Sequence, residues 1–333
     1  MVKIDVRRLM SFGNGSFIIS MPKRWVEKNK LKKGDLISVD DEGYELVLNS
    51  NQKESKPDAI EITIDAKGKG MELLKAEIVS SYLNDCDTII IIFDSNNKDV
   101  PKVKEMMRNL SGLEIMEQTS TRIVAKNLIN INEISIQNII RRMDIVARAM
   151  VEDAILCSRG ECTYDSINHR DVDVNRLYYL AFRVMKNAMK NPRVSKSLGI
   201  EPWQLHSDML LIKHIERIAD MQKRIARYLC AANLDRHALD GFDKVYTDIS
   251  ESYYEAMKAY YTQNKEIAFK IEVTNKIRTG DCNAFLEKYT ESHDGFKNKD
   301  RHSKLVMVSK IIENLKGTAI EIRDIARIVL CYE

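Results

Sequence analysis

Hydrophobic and polar positions change their period twice along this chain. In the first 50 residues the spacing is strand-like. Val2–Leu9 alternates weakly, and Phe17–Met21 is an apolar run halted by Pro22. Leu36–Val39 and Tyr44–Leu48 read as two short strands around the turn Asp40–Gly43. Between them Lys23–Asn29 predicts a short helix entered through Pro22. Asn49–Pro57 is polar and aperiodic, and reads as a linker.

From residue 59 to 128 strand and helix patterns alternate. Strands are expected at Ala59–Ile64 and Thr88–Phe93, helices at Met71–Leu83 and Val100–Leu110, and a closing hairpin at Leu113–Met116 and Ile123–Leu128. This order predicts a small four-stranded α/β layer with its helices on one face. Gly68 and Gly70 open the first of these helices and read as a turn. From Asn132 onward only helical spacing remains. Six helices are expected near residues 133–159, 165–190, 203–232, 241–263, 265–290 and 302–332. Breaks fall at Gly160, Asn191–Pro192, Gly199–Pro202, Asp240–Gly241 and Ser292–Asn298. Long helices with short connections predict up-and-down bundles.

The helical half carries an internal repeat. At an offset of 100 residues Ile225, Ala226 and Arg227 overlay Ile325, Ala326 and Arg327, and Ala219 overlays Ala319. Each segment lies in the third of three expected helices, so two related three-helix bundles in tandem are the simplest account. The expected domains are therefore 1–50, 57–130, 132–235 and 240–333. The whole is multidomain and mainly α.

Composition sharpens this picture. With 44% apolar and 30% charged residues among 333, the chain is not a disordered one. The 5 Pro and 13 Gly argue against an all-β fold. The six cysteines are scattered without a C-x-x-C pair, which predicts neither a disulfide framework nor a cysteine zinc site. The N-terminus lacks the apolar core of a leader, and the longest apolar run, Ile89–Phe93, is far too short to span a bilayer. A cytoplasmic protein without membrane insertion is expected. The net charge of +3 hides a segregation: before Gly34 stand nine Lys and Arg against two Asp and Glu. Such a basic segment suits contact with a phosphate backbone.

Few residues carry candidate chemistry. Glu216 and Asp220 stand one helical turn apart, on the helix that also holds His206, Asp208 and His214. Asp171, Asp173 and Asn175 lie on the preceding helix. Two acidic clusters on facing helices can ligate a metal ion, or can simply pair with Arg217 or Arg224. No nucleophile–base pair or phosphate-cradling glycine loop is present, so no enzyme activity is expected.

Two resemblances rest on these residues. The run from His214 through Glu216 and Asp220 to Ile225 and Ala226 resembles the signature of the PhoU family of phosphate-uptake regulators, and Asp171, Asp173 and Asn175 resemble that family's second-helix motif. The resemblance covers about residues 133–333. It implies tandem three-helix bundles and a divalent or iron-type metal ion held in the first by Asp171, Asn175, Glu216 and Asp220. It also implies a phosphate transporter ATPase subunit or a sensor kinase as partner. The second repeat departs from the pattern, because Lys316 and Ile320 stand where the first has Glu216 and Asp220. At most one metal site is expected. At the other end, Phe12–Val26 with Leu31, Gly34 and Asp35 resembles the AbrB/SpoVT/MazE swapped-hairpin domain. That implies a homodimer whose two chains interleave into one small β-barrel, with DNA contacted by Arg7, Arg8, Lys23 and Arg24. Together the resemblances imply a cytoplasmic regulator of phosphate uptake that binds DNA through its N-terminal domain. The alternative is an accessory interaction protein in which that domain only dimerises.

Overall fold

A computed structural model of the chain describes residues 5–13, 15–41, 43–50, 59–94, 98–159, 164–191, 194–195, 199–232, 234–292 and 299–331. Most of the expected linker and the breaks at Gly160 and 293–298 lie outside the described residues. Contacts divide the chain into two units, Met1–Ala59 and Ile60–Glu333.

In the first unit, β1 (Met10–Phe12) and β2 (Ser16–Ile18) pair antiparallel. Gly13 and Gly15 take φ of 65° and 126° in the turn between them, a region that side chains disfavour. α1 (Lys23–Lys28) has Pro22 as its N-cap. β3 (Ile37–Asp41) and β4 (Leu46–Ser50) form a second antiparallel pair, so Asn49 and Ser50 belong to a strand and not to the linker. The strand expected within Val2–Leu9 is not formed over the described Asp5–Leu9. It begins at Met10, where the glycine turn brings a partner strand alongside. None of the described residues of this unit is buried. Val6, Phe12, Phe17 and Leu36 are 86%, 67%, 68% and 77% exposed. Two short hairpins and one short helix hold too little surface to enclose a core.

The second unit begins with a sheet of β5 (Glu61–Asp65), β6 (Thr88–Ile92), β7 (Leu113–Gln118) and β8 (Arg122–Asn127), in the order β5-β6-β8-β7. β5 and β6 are parallel and joined by α2 (Met71–Leu83); α3 (Val100–Arg108) leads into the β7–β8 hairpin. Ile64, Leu74, Ile78, Tyr82, Ile89, Ile91, Val103 and Met107 build the core of this layer. Gly112 is required where it stands. Its φ is +78°, and a Cβ there would lie 2.2 Å from the Ile129 side chain.

Among the described residues, the remainder is built chiefly of six long helices: α4 (Ile136–Ser158), α5 (Tyr164–Lys190), α6 (Pro202–Ala232), α7 (Arg236–Thr262), α8 (Lys265–Ser292) and α9 (Lys299–Leu330). Their bounds follow the expected ones closely except at α7, which begins five residues before the predicted 241. Asp235 caps it by accepting a bond from the Ala238 amide at 2.9 Å. Gly241 lies inside the helix, where a Cβ would come 3.0 Å from the Phe285 ring. That glycine marks close helix packing and not a helix start.

One hydrophobic core runs from Ile131 to Val329 through all six helices. The repeat is visible in it. Ala219 and Ala319, Ile225 and Ile325, and Ala226 and Ala326 are buried, whereas Arg227 and Arg327 are exposed. The third helices of the two halves, α6 and α9, pack along one another. At Gly317 a Cβ would stand 2.9 Å from Met221 Cε, so the end of the Met221 side chain fills the space beside this glycine.

The α/β layer is tied to α5. Arg183, buried, donates from Nε to Asp85 Oδ1 at 2.9 Å and from Nη1 to Asn127 Oδ1 at 2.8 Å, and lies 5.1 Å from the Tyr82 ring centroid. Asn187 adds a bond to Asp85 at 3.0 Å, and Lys186 reaches Asn84 at 2.8 Å.

Cys230 takes part in a disulfide, whereas Cys86, Cys157, Cys282 and Cys331 are free. Among the described residues, no helix is long and apolar enough to cross a membrane.

Candidate functional site

Asp171 and Asn175 on α5 lie near Glu216 and Asp220 on α6, close enough for the charges of Asp171 and Asp220 to act on Glu216. Their surroundings already supply positive charge. Lys223, one turn beyond Asp220, places its Nζ 2.6 Å from Asp171 Oδ2 and 3.4 Å from Asp220 Oδ1. Arg224 holds the other Asp220 oxygen at 2.6 Å, and Asn175 donates to Asp171 at 3.1 Å. Burial opposes the Lys223 charge, but the bond to Asp171 and the charges of Asp171 and Asp220 hold the ammonium above its ordinary pKa. Glu216 has no such partner among the described residues. Burial, followed by the nearby Asp220 and Asp171 charges, pushes its carboxyl up. Among the described residues, no three His, Cys, Asp or Glu side chains are gathered as a metal ion needs. As placed, the four residues do not fit a metal ion, because an ammonium stands at the bridging position.

The second half repeats the theme with different residues. Arg327 of α9 makes a two-pronged pair with Glu272 of α8, at 2.8 and 2.7 Å. Each half thus neutralises an acid of its second helix with a cation from its third. Glu321 faces the other way and binds across the halves. It lies 2.5 Å from His214 Nδ1 and accepts from Arg217 at 3.0 Å. Burial raises its carboxyl, but His214 and Arg217 outweigh that and hold it below the ordinary range.

A further set of polar contacts has no counterpart among the sequence expectations. On α4, Gln137, Asp144 and Val151 are spaced by seven; on α7, Tyr246, Tyr253 and Tyr260 are too. The helices run antiparallel, so the two series meet. Tyr246 donates to the Val151 carbonyl at 2.9 Å and Tyr253 to Asp144 at 2.9 Å. Tyr260 and Gln137 converge on Asp208 of α6, at 2.6 and 2.9 Å. Asp144 also accepts from Tyr261 at 3.0 Å and Arg148 at 2.9 Å. Burial raises the Asp208 carboxyl to about 6, against the lowering effect of these two donors. The tyrosine heptad is the available signal. It becomes legible only with the facing helix in view, because seven-residue spacing also describes an ordinary core stripe.

The basic candidates of the first unit are at its surface. Arg7 pairs with Asp5 at 2.5 Å, and Lys23 lies 3.7 Å from Glu27. Arg8 and Arg24 are exposed, with no carboxylate within ion-pair distance among the described residues. Lys23 and Arg24 occupy the first turn of α1, which contains no acid. A helix start disfavours cations, so an anion beside them would relieve that electrostatic cost.

No protein-family model and no curated protein matches the chain. Its fold does match a solved structure, the crystal structure of PhoU from Pseudomonas aeruginosa, with a TM-score of 0.51 over 59% of this chain and 93% of that one. The two are 14% identical. The chain therefore has a PhoU-like helical fold, joined to an N-terminal unit and an α/β layer.

Proposed function

We propose that the chain is a cytoplasmic regulator of phosphate homeostasis that dimerises and binds DNA through its first unit and relays transport status through its six helices. The observation that carries the reading is the pairing of two parts in one chain. One part has a PhoU-like helical fold. The other is a unit whose basic residues are gathered before Gly34, nine Lys and Arg against two Asp and Glu, and in which no side chain is buried among the described residues. A second copy would cover the exposed Phe12, Phe17 and Leu36 and would double the local density of Arg8, Lys23 and Arg24, the charge that a phosphate backbone attracts. The interleaved barrel of the AbrB/SpoVT/MazE resemblance is the arrangement expected for that pair. A phosphate transporter ATPase subunit or a sensor kinase is the expected partner of the helices. In this role the chain carries out no catalytic step and holds no metal.

Gel retardation of DNA flanking phosphate-transport genes, over a salt series, tests the DNA half. Retardation that weakens with salt and is lost in Arg8→Ala/Arg24→Ala supports it. Absence of retardation with a dimer still formed supports the accessory protein, for which the exposed apolar surface alone provides the reason to pair.

A further inference from the structure

We propose that the groove between α6 and α9 binds an anion carrying two or more phosphoryl groups, such as a triphosphate chain. The groove encloses about 950 Å³ and is edged by Lys223, Arg224, Arg227, Lys310 and Lys316, against the acids Asp220 and Glu313. Asp220 is already taken by Lys223 and Arg224. Among the described residues, none of Arg227, Lys310 and Lys316 has a carboxylate within ion-pair distance.

The repeat makes this surplus specific. Arg327, the counterpart of Arg227, is spent on Glu272. In the first half Lys223 occupies the corresponding acid, Asp171, and Arg227 is released into the groove. Lys316 stands where the first half has Glu216 and reaches only the neutral Asn283, at 2.9 Å.

Arg227 and Lys310 both lie against one ring. The guanidinium carbon is 5.0 Å and the ammonium 5.3 Å from the Tyr228 centroid. Arg227 also donates to the Tyr228 hydroxyl at 3.1 Å. Two cations on one aromatic side chain repel each other, and the ring offsets only part of that. An anion beside them offsets the repulsion.

Spacing sets the size of the ligand. Lys310 and Lys316 are separated by six residues of α9, roughly 9 Å of helical rise. An orthophosphate does not span that rise, whereas a chain of phosphoryl groups does. Past Arg227 and Lys310 the surface continues into a hollow of about 650 Å³ lined partly by Ala231, Val306 and Met307. That apolar stretch gives a nucleoside a seat if the triphosphate belongs to a nucleotide.

The test is calorimetric titration of the full chain with sodium tripolyphosphate, adenosine triphosphate, orthophosphate and sulfate at about 150 mM salt, where surface charge is screened beyond roughly 8 Å. Saturable binding of tripolyphosphate, at least about tenfold tighter than orthophosphate or sulfate, is expected. Arg227→Gln/Lys310→Gln should weaken it by a further factor of about ten or more, and Lys316→Gln should narrow the preference for triphosphate over orthophosphate. These side chains are at the surface, and circular dichroism checks that the variants stay folded. Tighter binding of adenosine triphosphate than of tripolyphosphate assigns the ligand to nucleotides; equal binding assigns it to the phosphate chain alone. No saturable binding, unchanged affinity in the double variant, or displacement by an oligoglutamate as effective as tripolyphosphate would overturn the proposal. None of these outcomes depends on DNA binding by the first unit.

Discussion

Tyr253 donates its hydroxyl to Asp144 across 2.9 Å, with both side chains buried, and so joins the first half of the helical repeat to the second. Tyr253→Phe removes the donor and leaves the ring. Asp144 keeps Arg148 and Tyr261, so the loss is one charge-assisted bond, about 1.5–3 kcal/mol. Denaturant unfolding should show a lower midpoint with unchanged slope. No change in midpoint would mean that the contact carries no net stability.

Asp208 gives the helical unit a pH dependence of known sign. Its carboxyl titrates near 6 in the folded chain, above the ordinary 3.8. The folded state therefore keeps a proton that the unfolded state has released. The stabilising contribution is complete below the ordinary value, falls as pH rises through about 6, and stays level above it. The total is on the order of 3 kcal/mol at about 1.4 kcal/mol per pKa unit. Asp208→Asn should flatten this part of the stability curve between pH 4 and 7. An equally steep curve in the variant would assign the dependence elsewhere.

Arg183 is the tie between the α/β layer and α5. Arg183→Met strands Asp85, which Asn187 and the solvent satisfy in part, and should cost about 2–4 kcal/mol. Hydrogen exchange should accelerate across residues 60–128 more than across 236–330. Uniform acceleration would show instead that the two parts unfold together.

Lys223 is predicted to keep the acidic cluster closed to metal. Wild-type and Glu216→Gln chains should contain equal divalent metal by elemental analysis. Lys223→Gln should lower stability, because Asp171 loses its ammonium partner while Asp220 keeps Arg224. Metal present in the wild type and lost in Glu216→Gln would show that the ammonium gives way.

The helical glycines separate space from propensity. Gly280 of α8 has open space within 4 Å of where a methyl group would sit, so Gly280→Ala should stabilise the chain by about 0.5–1 kcal/mol. Gly112→Ala should do the reverse, by both its φ and its collision with Ile129. Thermal melts of the two variants should move in opposite directions.

The helices were legible because each buries one face, and a face leaves a 3.6-residue period in the sequence. The start of α7 was not, since Gly241 serves packing against Phe285 and imitates a break. The acidic pair Glu216 and Asp220 was legible by spacing, but its neutralisation was not. Lys223 looks like any surface lysine until α5 is placed beside it. The tyrosine contacts were hidden for the same reason: Tyr253 and its acceptor Asp144 are 109 residues apart in the chain.

The seven-residue matching of Tyr246, Tyr253 and Tyr260 to Val151, Asp144 and the Gln137–Asp208 pair acts as a lock on sliding. Apolar side chains along two antiparallel helices find new neighbours when one helix shifts by a turn. Directed hydroxyl bonds do not, and here a single step of α7 past α4 would break the Tyr246 and Tyr253 bonds together. Motion that carries a signal between the halves must therefore turn them as one rigid body or break this seam outright.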